Sequence, residues 1–361
     1  MADTEPEIVF AELVDRSSER NSGATESEIV YADLVERKSE GIGLNRKYFR
    51  PEDLRRLSHA EFSSRRAIEG LYSGKHKTFQ RGQSIEFRDY RQYLPGDPVN
   101  HVDWKVYGRT DKLFIKLFEH QAELTAHLLV DGSRSMVFRG FEANGVNDSK
   151  YDCSCRLAAA IGFLIAKQQD RFSFGVASEG LQYLQRPGSS IRYLLRVLDS
   201  MEKAPPTGTA NFPAAIDELI KFSKSKDLLC VFSDLLDFSD EFLKKLKIWQ
   251  QRGGEIIVFH VLHDDEISLP EGLSDGKFID SESGEQIRVN VKSVRDQYAI
   301  EMARFIEDCR SQCSSQGFDY NLVRTSDPYT KILQRYFSRR ADRLTARSSN
   351  GMSRDRSSEA V

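Results

Sequence analysis

The chain has 361 residues, of which 39% are hydrophobic and 30% charged, the balance of a globular protein long enough for one large or two small domains. The formal net charge of −3 hides an uneven spread: residues 1–40 carry eleven acidic against four basic side chains, residues 44–120 sixteen basic against ten acidic. No run approaches the roughly 18 apolar residues that cross a bilayer, the acidic start has no apolar signal-peptide core, and the five cysteines have neither zinc-finger nor Cys-x-x-Cys spacing; the expectation is a cytoplasmic protein with ordinary reduced thiols.

Residues 1–43 read as an acidic disordered tail that repeats itself, "EPEIVFAELVDRSSE" at 5–19 returning as "ESEIVYADLVERKSE" at 26–40. Each copy is too short to bury a core. The expectation is a pair of docking peptides presenting Ile8, Phe10 and Leu13, then Ile29, Tyr31 and Leu34. A duplication without a role is the bland alternative.

Residues 44–120 form a basic segment. Leu54, Leu57, Phe62 and Ile68 recur near helical spacing within 51–72. A turn-rich part follows, with Gly96-Asp97-Pro98 as a turn, and "KLFIKLFE" at 112–119 alternates like a strand. Arg88, Arg91, Lys105 and Arg109 interleave with Asp89, Asp97 and Asp103. That pattern favours internal ion pairs over nucleic-acid binding. Trp104 is expected in the core of a small β-rich layer packed on the next domain.

From 121 to 342, apolar runs alternate with amphipathic ones. Strands are expected at 124–130, 172–177, 227–233, 255–262 and 319–325. Helices are expected at 155–169, 190–201, 212–223, 240–251, 291–315 and 329–340, with a hairpin at 276–290 turning at Ser283-Gly284. Near-continuous apolar strands separated by helices predict a doubly wound parallel sheet. Residues 343–361 read as a disordered tail.

Ligands gather at the carboxyl ends of such strands. Asp131 ends the first strand and is followed by Ser133 and Ser135; Asp234 ends the third; Thr209 lies on the loop 205–211. Oxygen donors without His or Cys suit Mg2+, Mn2+ or Ca2+. Two carboxylates about 5 Å apart repel by roughly 3 kcal/mol at an effective dielectric of about 20, so such a pair takes up a proton or a cation. Helix capping by Asp131 and Ser133 is the simpler alternative. No catalytic residue is assigned, because no positioned general acid or base accompanies the three loops. The rival reading is a metal-dependent hydrolase using Asp131. His260, inside an apolar run, is expected to be a core histidine. "GLYSGKHKT" at 70–78 has one residue too few between its glycines for a phosphate-binding loop.

"DGSRSM", "GTA" and "FSD" resemble the metal-ion-dependent adhesion site of von Willebrand factor A domains. The preceding segment is similar to the signature of the MoxR-associated family, domain-of-unknown-function family 58: Glu86-Phe87, Arg91-x-Tyr93, Gly96-Asp97, Asp103-Trp104 and Arg109 stand in the family's order, and 260–289 resembles the family as well. The family usually has Asp where this chain has His263. The resemblance implies a von Willebrand factor A-like sheet and a Mg2+-dependent, non-enzymatic adaptor. Its implied partners are a MoxR-type AAA+ ATPase and a client protein in assembly or maturation of complexes. Many relatives carry membrane helices where this chain has the acidic repeats, which leaves peripheral association with a membrane complex open.

Overall fold

The computed structural model describes residues 46–50, 57, 85–93, 102–120, 125–141, 148–271, 275–279 and 285–339. All belong to one compact unit, Arg46–Val361. The repeats with Ile8, Phe10, Leu13, Ile29, Tyr31 and Leu34, most of the helix expected at 51–72, Gly96, Asp97, the hairpin turn and the tail at 343–361 lie outside the described residues.

The signature segment forms its own two-stranded antiparallel sheet. Strand β1 (Ile85–Gln92) pairs with β2 (Phe114–His120) from Ile85 opposite His120 to Gln92 opposite Phe114, with a bulge between Phe87 and Asp89. Between them lies the short helix α1 (Trp104–Thr110), whose N-cap Asp103 accepts from the Lys105 and Val106 amides. Trp104 corrects the expectation of a core position, since it is 60% exposed and meets Tyr107 edge-on. The physical reason is the cap. Asp103 and Val102 are the buried pair, Val102 bridging to Ile115, and the next residue starts the helix pointing outward.

The main sheet has the strand order β10-β7-β6-β3-β4-β5. Its parallel strands are β3 (Thr125–Asp131), β4 (Arg171–Ala177), β6 (Leu228–Ser233), β7 (Glu255–Leu262) and β10 (Asp319–Arg324). β3 and β6 are buried at every position, as central strands covered on both faces must be. β5 (Leu181–Gly188) runs antiparallel at the edge and was not expected; it is half-exposed, so it lacks the apolar run that marks its neighbours.

Helix α2 (Lys150–Lys167) starts in a capping box between Ser149 and Asp152, buries nearly every side chain, and packs with α3 (Ile191–Lys203). On the opposite face α4 (Phe212–Ile220), α5 (Asp240–Gln251) and Cys309 and Cys313 of α7 (Val291–Ser315) share one core with Leu129, Val231 and Val258. A short helix α6 (Asp264–Ile267) follows β7, and the hairpin β8 (Asp275–Ile279) and β9 (Gln286–Asn290) precedes α7. The last helix, α8, covers 329–339. Among the described residues, no helix is long and apolar enough to cross a membrane.

Candidate metal centre

The carboxyl edge of β3 and β6 is built by close backbone approach. The Gly132 amide donates to the Ala177 carbonyl at 2.7 Å, and a Cβ on Gly132 would lie 2.5 Å from a Val176 methyl, so only glycine lets the chain turn here. The turn presents Ser133 and the 3-10 segment Arg134–Val137 back toward Asp131.

Four of the five expected residues meet. The Ser133 amide donates to Asp131 Oδ1 at 2.8 Å, and the Ser133 and Ser135 hydroxyls are 2.9 Å apart. Ser135 Oγ donates to Asp234 Oδ2 at 2.7 Å. Asp131, Ser133 and Asp234 are buried, while Ser135 keeps partial exposure. The loop 205–211 docks on the same turn through Arg134 N to the Gly208 carbonyl and Thr207 N to the Gly132 carbonyl, both 2.8 Å. Thr209 itself is exposed, and among the described residues no hydrogen bond joins its side chain to the other four.

Three further residues complete the cluster, and sequence reasoning missed them. Ser233 Oγ donates to Asp131 Oδ2 at 2.5 Å. Lys150, fully buried at the start of α2, donates from Nζ to Asp234 Oδ2 at 2.8 Å and to Glu266 Oε1 at 2.6 Å. Glu266 Oε2 in turn accepts the His263 amide at 2.9 Å, closing a capping box for α6. The sequence carried no clear signal for Lys150, which shares the first turns of α2 with Asp152 and Arg156 and so reads as part of a solvated helix end.

Electrostatics follow from this burial. Asp131 is pushed up to about 7, first by desolvation and then by Asp234, with the hydrogen bonds from Ser233 and Ser133 pulling back. Desolvation pulls Lys150 down, but Asp234 and Glu266 outweigh it and the net direction is upward, so it stays an ammonium. Three carboxylates against one ammonium leave two negative charges when all are ionised, the complement of one divalent cation. The hydroxyl pair fits as well: cis ligands of an octahedral ion at about 2.05 Å stand about 2.9 Å apart, the Ser133–Ser135 separation. The donor set is therefore compatible with Mg2+ or Mn2+, which Asp131, Ser133, Ser135 and Asp234 would hold. When bound, such an ion supplies a Lewis-acidic point that accepts an outside oxygen ligand.

The neighbouring histidines do other work. His260 is fully buried, meets the Tyr320 hydroxyl through Nδ1 at 2.7 Å, and is pulled down to about 4 by desolvation, as a core histidine should be. The His263 ring accepts the Asp265 amide at 3.1 Å. Among the described residues no group of three or more His, Cys, Asp or Glu side chains is placed to hold a metal ion; the candidate set itself offers two carboxylates and otherwise hydroxyls.

The chain is 26% identical to an uncharacterized protein of Mycobacterium tuberculosis over 265 residues, 70% of this chain and 81% of that one. A Mycobacterium bovis protein matches with the same figures. Among solved structures, the conserved hypothetical protein BatB from Bacteroides thetaiotaomicron is similar at 14% identity over 62% of this chain and 99% of that one, with a TM-score of 0.39. The SpRpn10 VWA domain is similar at 12% identity over 59% and 95%, with a TM-score of 0.34. The model of the family described as protein of unknown function DUF58 matches residues 89–307, a span from β1 well into α7 and more than half of the sequence, and the chain belongs to that family.

Proposed function

We propose that the chain is a non-enzymatic protein-interaction adaptor whose carboxyl-edge site binds a divalent cation, Mg2+ or else Mn2+ or Ca2+, and through it a carboxylate of a client protein. It acts in the cytoplasm beside a MoxR-type AAA+ ATPase in assembly or maturation of protein complexes. The ATPase is assigned on the family resemblance, and the tail repeats around Phe10 and Tyr31 are its proposed docking peptides. The observation that supports the site is the convergence of Asp131, Ser133, Ser135 and Asp234 at the loop-built end of the sheet, where three carboxylates face one ammonium.

The hydrolase alternative has less support. Both Asp131 oxygens already accept hydrogen bonds from the chain itself, and Lys150 is locked between two carboxylates, so neither is poised as nucleophile or base. The test is affinity capture from native lysate with wild type and Asp131→Ala, each with Mg2+ and with EDTA, next to titration calorimetry of Mg2+. Mg2+-dependent recovery of an ATPase and a client by wild type alone is the expected result. Identical recovery in all four arms would end the cation-dependent reading.

A further inference from the structure

We infer that Lys150 is a built-in cation of this site, competing with an external divalent cation for the same carboxylates. The inference bears on the proposed site, but its test also resolves it if wild type takes no metal at all.

The geometry carries it. Lys150 Nζ lies 2.8 Å from Asp234 Oδ2, the same oxygen that accepts the Ser135 hydroxyl at 2.7 Å. One carboxylate oxygen thus already serves both a positive charge and a hydroxyl of the candidate donor set. The lysine is wholly buried, and its backbone lies in the first turn of α2, which the Ser149–Asp152 capping box holds. Its second partner, Glu266, is held by the His263 amide, and the Glu266 carbonyl accepts the Tyr298 hydroxyl at 2.7 Å. The ammonium is fixed from both sides.

The charged groups facing the cluster are therefore Asp131 from β3, Asp234 after β6, Glu266 from α6 and Lys150 from α2, with His260 of β7 kept neutral by burial. A fixed positive charge beside Asp234 lowers the attraction for any incoming cation, and Glu266 offsets part of that effect. Lys150 sets the charge that the site has left to offer, and Glu266 tunes it. A site without Lys150 would bind cations more tightly and release them more slowly. With it, occupancy stays weak enough to be exchanged or displaced as a partner arrives.

The experiment is Mn2+ titration of the full chain by calorimetry, with free Mn2+ followed by electron paramagnetic resonance. It compares wild type, Lys150→Met, Glu266→Gln and Lys150→Met/Glu266→Gln. Removing the ammonium should tighten Mn2+ binding at least tenfold in the single variant and about threefold in the charge-balanced double variant, where the loss of Glu266 offsets part of the gain. The double variant decides the matter if the single one fails to fold. Glu266→Gln should weaken binding at least threefold. A merely structural lysine would weaken binding in every variant, so the opposite signs are diagnostic. If both Lys150 variants bind no tighter than wild type, including the case where nothing binds, the inference is overturned. Tightening over a wild type that shows no binding supports the inference while overturning the metal dependence proposed above. Binding by wild type with no gain in the variants does the reverse.

Discussion

Ser233 and Asp131 close the carboxyl edge of the sheet on itself: the hydroxyl at the end of β6 donates at 2.5 Å to the carboxylate at the end of β3, and the same oxygen atom of Ser233 accepts the Leu235 amide at 3.0 Å. One serine thereby orients the aspartate and the loop that carries Asp234. Ser233→Ala should lower stability by about 1–3 kcal/mol, the range for a buried acceptor left unpaired, read as a shift of the urea midpoint. It should also drive Asp131 further upward, because the lost hydrogen bond favoured the ionised form. An unchanged midpoint would mean that the contact is passive.

In metal-free protein, Asp131 and His260 should impose opposite pH dependences. Asp131 sits at about 7 in the fold against an ordinary 3.8, so the folded state holds its proton more tightly and stability falls as pH rises from about 4 to about 7. His260 sits at about 4 against an ordinary 6.5; its contribution is full above pH 6.5 and is lost as pH falls toward 4. The two groups are displaced by similar amounts in opposite directions, so their effects largely cancel between about pH 4.5 and 6.5. Relative to wild type, Asp131→Asn should gain stability with rising pH across that window, and His260→Gln should lose it. The slope for either variant approaches about 1.4 kcal/mol per pH unit, the free energy of a tenfold change in proton activity acting on one proton. Urea midpoints at several pH values, with EDTA present, give both slopes; parallel curves for the two variants would contradict the assignment.

Gly132→Ala should be costly out of proportion to one methyl group. The new carbon would press against Val176 and, at 2.9 Å, against the backbone oxygen of Ala177. Since backbone cannot give way as a side-chain tip can, about 1–3 kcal/mol is expected, the usual scale of overpacking. The site should loosen with it, visible as weaker divalent-cation binding by calorimetry. Retention of both stability and binding would show that the β3 turn has more room than its contacts indicate.

A serine, a histidine and an aspartate do line up in this protein, far from the candidate site. His127 meets Ser173 Oγ at 2.7 Å through Nδ1 and Asp227 Oδ2 at 3.0 Å through Nε2, with Trp249 edge-on to its ring. All three are buried, and His127 lies four residues before Asp131 on β3, about 13 Å away at strand spacing. Asp227 also caps the preceding turn by accepting the Lys224 amide. These contacts tie β3, β4 and the start of β6 together in the interior. A fluorophosphonate probe should leave Ser173 unlabelled in folded protein. His127→Ala should cost about 2–4 kcal/mol, as expected for a cavity plus the loss of two buried hydrogen bonds. Stoichiometric labelling of Ser173 would revive a hydrolase reading on different residues.

Trp104→Ala should change the melting temperature little, by less than about 0.5 kcal/mol in stability terms, because the ring is mostly exposed. Asp103→Ala should cost about 1 kcal/mol through loss of the α1 cap. A reversed order would put the tryptophan back in a core.

The parallel strands and the grouping of Asp131, Ser133, Ser135 and Asp234 were legible because each rests on local signals: an unbroken apolar run, then polar residues where the run stops. β5 was not, since Leu181–Gly188 is half-exposed and pairs antiparallel, leaving no strict period to read. Lys150 and Glu266 stand 116 positions apart and mean nothing separately; only the fold makes them a pair. Trp104 misleads because it sits in a segment expected to pack as a compact layer, whereas the neighbouring aspartate, needed as a cap, takes the inside position.

All five cysteines are reduced and buried. Burial pushes Cys153, Cys309 and Cys313 up to about 12 and Cys155 up as well, so a thiol-directed reagent finds almost no thiolate in the closed state. They are also well distributed: two on α2, one in the central strand β6, two on α7. The molecule thus contains its own stopwatch. The rate at which each thiol becomes alkylated measures how often its element opens, and mass spectrometry of timed samples would rank the helix that carries Lys150 against the sheet beneath it without any label being engineered in.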